Sequence, residues 1–467
     1  MHTETTEDRG SWADLLRGSN GAISLVLAGG VALYAITVYV IGALLPALTA
    51  ELGAGELYAW VNTAYLTASV LASAMTGRVS IRLGTRGAYT LAFLLFAAGS
   101  LIITLAPAMS IVVAGRFVQG LGGGFLAALA YVSISALLPR AVWTRATVLI
   151  TAMWAIGGIA GPALGGAFAA AGTWRAAFII LTVAAGVLGT LALLVIRVPR
   201  NPDAAVPGLA AASLALIVAG AVLFSVATLF SGLVQGAVIA AGVLALVLFV
   251  AVDVRAASPL LPAMTFRRGS QLRWVYLVIG LLAGSVMIEA FVPLFAHEIG
   301  NVPALPAGYL GAVPSLGWTI AEVFSAMIHG ERARLRARTV APFLTVAGLI
   351  GFALVSGTLD GGAVLTGWIV SLALIGIGVG LGFPHLSVAA MSAVEGEEEG
   401  ALAAAGVSTV QLLSNTIVTA LAGILLGTTV AGLTSAQVVS GGLAILVAVT
   451  IPAALLIARR LRTPAHR

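Results

Sequence analysis

The sequence predicts an all-α integral membrane protein with 14 transmembrane helices, arranged as two six-helix bundles plus an inserted helix pair. Three observations predict it. Of 467 residues, 60% are hydrophobic and only 9% charged, against about 25% charged in an ordinary soluble domain. Apolar runs near the ~20 residues that cross a bilayer core recur from residue 22 to residue 458. Arginine, which supplies all 23 of the Lys and Arg residues, clusters between alternate runs.

The spans fall at about 22–48, 57–77, 87–106, 109–138, 146–171, 175–196, 207–230, 235–254, 272–295, 305–329, 340–357, 364–392, 400–427 and 436–458. An even number puts both termini on one side. With that side cytoplasmic, 21 of the 23 arginines fall inside, leaving only Arg116 within a span and Arg175 at an outer end. This is the positive-inside asymmetry of a multi-pass protein of the cytoplasmic membrane. The expected organisation is a cytoplasmic tail 1–21, a first bundle 22–200, the inserted pair and linker 201–271, a second bundle 272–458 and a tail 459–467. The first apolar run is too long for a cleaved signal peptide and reads as a retained helix.

The net charge of +6 lies in short loops, which points to anionic headgroups and excludes a nucleic-acid partner. With 0 cysteines there is no disulfide and no thiolate metal site. No phosphate-binding loop is evident, which argues against ATP-driven pumping by this chain alone, and nothing suggests an enzyme. No metal or cofactor is expected.

The most specific signal is the run Gly157-Gly158-Ile-Ala-Gly161-Pro162-Ala-Leu-Gly165-Gly166 in the fifth span. Glycines four apart share one helix face and admit a neighbouring backbone, while Pro162 permits a bend. The face is either a sliding surface or a plain packing surface. A second run is Arg116-Phe-Val-Gln119-Gly120-Leu-Gly122, and a third, between the second and third spans, is Gly77-Arg-Val-Ser-Ile81-Arg82-Leu-Gly84-Thr-Arg86. The Gly120, Gly122 and Gly124 pattern is echoed by Gly376, Gly378, Gly380 and Gly382 in the fourth span of the second half. This suggests an internal repeat, with close helix packing as the alternative.

These runs resemble the major facilitator superfamily. The first matches its antiporter motif G-x-x-x-G-P-x-x-G-G at every defined position. The second is similar to R-x-x-Q-G-x-G, whose arginine that resemblance links to proton coupling. The third resembles G-x-L-a-D-R-x-G-R-R but carries Ile81 where the family places an aspartate. The inserted pair makes the resemblance closest to the fourteen-helix drug:proton antiporter branch. That branch commonly has an aspartate in its first helix, and the stretch Leu33-Tyr34-Ala-Ile-Thr37 has none.

A charge inside the bilayer is costly, and an intramembrane carboxylate is a functional candidate by default. Of 17 acids, only Glu289 and Glu322 fall well inside spans. Desolvation favours a neutral carboxyl and a nearby arginine a charged one, so conformation can switch proton affinity. Glu289 stands in the second half where the first half lacks its acid. Glu322 follows Trp318 by four residues, which suits a cavity with an aromatic wall. The expected proton-coupling set is Glu289, Glu322 and Arg116, the last being alternatively a structural ion-pair partner. Asn62, Tyr65, Gln119, Trp318, His385, Gln411 and Asn415 either line a substrate cavity or bond across helices. His385, after Pro384, is either a proton relay or a histidine bonded to a freed carbonyl. The acids Glu395, Glu397, Glu398 and Glu399 form either a solvated helix start or a latch to Arg332, Arg334, Arg336 and Arg338.

The resulting expectation is a monomeric, proton-coupled exporter of amphipathic or cationic small molecules. The alternatives are a lipid or glycolipid exporter on the same fold, a proton-coupled uptake symporter, or, least favoured, a receptor without transport.

Overall fold

The computed structural model describes residues 11–197, 210–256, 259–267, 269–358, 362–394 and 397–462. The tail acids before residue 11, Arg200, Arg268 and Glu395 lie outside them. The helices are α1 (Trp12–Leu16), α2 (Gly18–Leu52), α3 (Tyr58–Thr104), α4 (Met109–Leu137), α5 (Trp143–Ala170), α6 (Trp174–Val195), α7 (Ala211–Val226) and α8 (Gly232–Asp253). They continue as α9 (Leu272–Ser285), α10 (Val292–Gly300), α11 (Ala304–Ala326), α12 (Glu331–Thr358), α13 (Gly362–Met391), α14 (Glu397–Leu426), α15 (Ser435–Ala448) and α16 (Thr450–Arg462).

Among the described residues, 12 helical segments are long and apolar enough to cross a membrane. The stretch Gly55–Thr104 enters that number once although it has 50 residues. At about 1.5 Å per residue it would run about 75 Å, more than twice the ~30 Å hydrocarbon core. It does not run straight, because Gly84 sits at φ 71°, ψ 163°. Residues on both sides of Gly84 pack on α4: Tyr65 and Ser69 back onto Gly120 and Gly124, and Phe96 onto Gly122. The connection expected at 78–86 is therefore helical up to a reversal at Gly84, which glycine makes without a Cβ penalty. α11, at 23 residues, is not among the 12; its glycines, prolines and Glu322 dilute its apolar character.

The ninth expected span is broken. A 3-10 segment, Val286–Ala290, separates α9 from α10. The cause is Pro293, whose ring clashes with the carbonyl four residues earlier and cannot bond to it. That carbonyl belongs to Glu289, so the break leaves Glu289 in irregular backbone. The expected tail 1–21 also contains structure: Ser11 and Asp14 form a capping box that starts α1, and Leu15 is buried.

The glycine echo is a packing repeat. In α4, Gly120 and Gly124 face one neighbour (Tyr65, Ser69) and Gly122 the other (Phe96). In α13, Gly376 and Gly380 face α11 at Pro314 and Trp318, while Gly378 and Gly382 face α12 at Thr345 and Ala341. In each half a central helix thus alternates its glycines between two flanking helices, which lets three backbones approach closely.

The antiporter-like run in α5 is likewise two-sided. A methyl group on Gly157, Gly161 or Gly165 would strike α2 at Ala35, Tyr39 or Val40, whereas one on Gly158 or Gly166 would meet α11 at Leu316 or Leu305. One glycine row holds α5 to its own half and the other seats it against the second half. Cross-contacts cluster toward the end opposite α1. There Tyr58 donates to the Ala290 carbonyl at 3.3 Å and stacks on Phe291 with centroids 5.8 Å apart. Gly308 backs onto Ala43 and Pro162 at the same end.

Arg175, the outer-end exception in the arginine pattern, pairs with Glu51 at 2.5 Å. Glu51 also accepts from Trp174 Nε1 at 2.6 Å, which ties α2 to α6. α7 lies along α3 and α14, with α8 packed on α7, and Trp60 Nε1 donates to Thr228 Oγ1 at 3.1 Å.

Candidate functional site

Between the two halves lies a cavity of about 30 Å³, lined among others by Tyr39 of α2, Asn62 and Tyr65 of α3, Arg116 of α4, Glu289, and Thr419 of α14. It is large enough for one or two waters. Arg116 and Glu289, which come from different halves of the chain, thus share one space.

Arg116 is fully buried. Its Nε donates to the Val61 carbonyl at 3.1 Å, its Nη1 to Gln119 Oε1 at 2.8 Å, and its guanidinium lies 3.9 Å from the Tyr65 ring centroid. Its Nη2 has no hydrogen-bond partner, and Arg116 makes no ion pair among the described residues. Burying a charge is tolerable only when its hydrogens find acceptors or a counter-charge. The one unsatisfied nitrogen belongs to a residue that lines the cavity.

Glu289 is 8% exposed. The break at Val286–Ala290 presents it, and Ser315 of α11 donates to its Oε2 at 2.6 Å. It has no cation within ion-pair distance among the described residues. A carboxyl held by a single hydroxyl can gain or lose a proton without dismantling an ion pair.

Several of the expected residues gather here and others do not. Asn62 and Tyr65 line the cavity. Gln119 does not; it links Arg116 to Ser100 by donating to Ser100 Oγ at 2.8 Å. Glu322 is half-buried, one turn from the end of α11, and is not among the lining residues. Trp318 packs on Phe383 with centroids 5.2 Å apart. His385 Nε2 lies 3.0 Å from Ser325 Oγ. That hydroxyl donates to the Leu381 carbonyl at 2.7 Å, so its oxygen is left to accept from His385. The partner is a hydroxyl on α11 instead of the carbonyl freed by Pro384. Asn415, in the amide orientation that satisfies both its atoms, donates to the Ala283 and Gln411 carbonyls at 3.3 and 3.1 Å, bonding α14 to α9. Gly77, Arg82 and Arg86 are exposed around the Gly84 reversal, and no ion pair reaches the arginines among the described residues.

Sequence reasoning missed Tyr39, Ser315 and Thr419, together with an aromatic wall next to Arg116. Tyr65 stacks on Tyr34 at 5.7 Å, and Tyr34 meets Trp154 edge-on at 5.5 Å. Ser315 had a readable signal, since it precedes Trp318 and Glu322 by three and seven positions on one face of α11. Tyr39 and Thr419 had none.

A family model described as Major Facilitator Superfamily matches residues 27–417. A probable multidrug-efflux transporter of Mycobacterium tuberculosis (strain ATCC 25618 / H37Rv) is 37% identical over 437 residues, covering 92% of this chain and 92% of that protein. A multidrug transporter protein of Bacillus subtilis (strain 168) is 25% identical over 377 residues, covering 77% of this chain and 67% of that protein. Among solved structures, the POT family transporter PepTSo superposes with a TM-score of 0.70 at 15% identity, covering 96% of this chain and 98% of the other. The xylose transporter XylE from E. coli, in an inward-open conformation, does so at 0.61 and 15%, covering 96% and 97%. At such identities the structural likeness speaks for the fold alone.

Proposed function

Because this chain belongs to the major facilitator superfamily, we propose that it is a proton-coupled exporter of amphipathic or cationic small molecules, working by alternating access in the fourteen-helix drug:proton antiporter manner. The observation that carries the proposal is the cavity shared by Arg116 and Glu289. The aspartate that the fourteen-helix branch commonly carries in its first helix is absent, and Glu289 supplies a carboxyl from the other half to the same space as the motif arginine. The efflux transporters among its relatives support the direction of transport.

Fourteen crossings follow if the Gly55–Thr104 segment is counted as two and α11 is added to the 12. The two six-helix halves are then 22–200 and 272–458, with the inserted pair between them, and both termini are cytoplasmic. In this frame the packed end, at Tyr58, Ala290 and Gly308, is the outer end, and the conformation is closed to the outside. Substrate enters from the cytoplasmic side. An outside proton then neutralises Glu289 in the outward-facing state, which releases the substrate; loss of that proton inside resets the carrier. One proton moved down the membrane potential supplies about 2.3 kcal/mol per 100 mV, plus any pH gradient.

The test is reconstitution in proteoliposomes with an imposed pH gradient, screening cationic dyes against lipids, with Glu289→Gln and Glu322→Gln as variants. Gradient-driven dye export lost in Glu289→Gln supports the reading. Retention of coupled flux in both variants overturns the carboxylate mechanism, and flux of lipid without dye overturns the substrate class.

A further inference from the structure

We propose that the site takes zwitterionic amphiphiles, molecules carrying a basic nitrogen and an anionic or strongly accepting group on one aromatic frame. This deepens the exporter reading and rests on it.

Recognition begins at Arg116. Three of its contacts are protein-internal: Val61, Gln119 and the Tyr65 ring face. The fourth direction, Nη2, has no acceptor although the residue is fully buried and lines the cavity. A buried guanidinium with one nitrogen unpartnered among the described residues, in a side chain that lines the cavity, is a ready receptor for a carboxylate, phenolate or carbonyl oxygen. Glu289 lines the same space, and its hydrogen bond to Ser315 engages Oε2, which leaves Oε1 for a ligand ammonium.

Charge balance then selects the ligand. A simple monocation would neutralise Glu289 and leave the Arg116 charge without a counter-charge in a low-dielectric interior. A simple anion would do the reverse. A zwitterion brings no net charge into the site and satisfies both groups at once. Protonation of Glu289 removes only the contact to the ligand's nitrogen, so release is tied to the proton while the Arg116 contact sets selectivity.

The shape agrees with this division. A cavity of about 30 Å³ receives polar ends but not the body of a drug-sized molecule. Tyr65, Tyr34 and Trp154 form a continuous aromatic cluster beginning at the guanidinium; Tyr65 and Tyr34 are buried here, so a planar frame meets the cluster by offset or edge-on stacking as the cavity opens.

The experiment uses the full-length protein in lipid nanodiscs and three matched probes: naphthylalanine (zwitterion), its methyl ester (cation) and its N-acetyl derivative (anion). Binding is read by calorimetry. Wild type is expected to bind the zwitterion about tenfold or more tightly than either derivative, the effect of one charge-assisted hydrogen bond. Arg116→Gln is expected to make zwitterion and ester equal, and Glu289→Gln to make zwitterion and N-acetyl derivative equal. Arg116→Lys, which keeps a cation but loses the planar fork, keeps part of the preference and guards against a variant that merely fails to fold. Equal binding of zwitterion and ester by wild type overturns the inference, as does an equal loss of both in a folded Arg116→Gln. Substrate-driven proton movement without a zwitterion preference sinks this inference and spares the exporter reading. A zwitterion preference without proton movement does the opposite.

Discussion

Replacing Gly166 by alanine puts a methyl group 2.5 Å from Leu305 Cα across the seam between the halves. Replacing Gly161 puts one 2.5 Å from Tyr39 Cβ and 3.0 Å from the Ile36 carbonyl, within one half. Both overfill a packed contact, at a cost of about 1–3 kcal/mol. In the proposed alternating-access cycle the consequences differ, because only the first contact is remade as the halves separate at that end. Gly166→Ala is therefore expected to raise the outward-open population about 5- to 150-fold. Gly161→Ala is expected to lower the melting temperature without that shift. The chain has 0 cysteines, so a single reporter, Ala43→Cys, can be labelled without background. Ala43 is 3% exposed and backs onto Gly308 at the seam. The assay is its rate of reaction with a membrane-impermeant maleimide added from outside. If Gly161→Ala accelerates labelling as much as Gly166→Ala, or Gly166→Ala leaves it unchanged, the assignment of the two glycine rows to separate jobs is wrong.

Three further outcomes are expected. Hydrogen bonds from the backbone and side chain of Ser11 hold the Asp14 carboxyl below its ordinary value of 3.8. A depressed carboxyl stabilises above its unfolded value and loses that contribution as pH falls through its folded value. Trp12 fluorescence should therefore report α1 capped at neutral pH and released below about pH 4; in Ser11→Ala the pH dependence should shrink. Thr228→Val leaves Trp60 Nε1 without its acceptor and is expected to cost about 1–3 kcal/mol, seen as faster hydrogen exchange in α7 and α8 than in α12. Glu51→Gln breaks the exposed pair with Arg175, which water and salt screen; the melting point of the variant should respond less to added salt than that of wild type.

Much of the fold was legible because lipid imposes one strong rule: apolar length sets the spans. The glycine rows of α4, α5 and α13 were legible as close-packing faces because residues four apart align on a helix. Which neighbour each row meets was not legible, since Gly157 and Gly158 are adjacent in sequence yet face different halves. The site was half legible. Glu289 and Arg116 stood out because charge in the membrane is rare, and Tyr65 and Asn62 because they are polar within a span. Their convergence in one cavity depends on the break that Pro293 imposes at Glu289 and on Ser315 arriving from α11, neither of which local pattern encodes. Glu322 looked equivalent to Glu289 by depth along the chain, but α11 ends at Ala326, only one turn beyond it.

The most direct measurement of the central claim is proton movement on adding substrate to proteoliposomes, followed with a pH-sensitive dye in the lumen, for wild type and Glu289→Gln side by side. Proton coupling through Glu289 predicts a substrate-dependent pH change in wild type that vanishes in a Glu289→Gln variant shown by its melting curve to be folded. An undiminished change in the folded variant would contradict it.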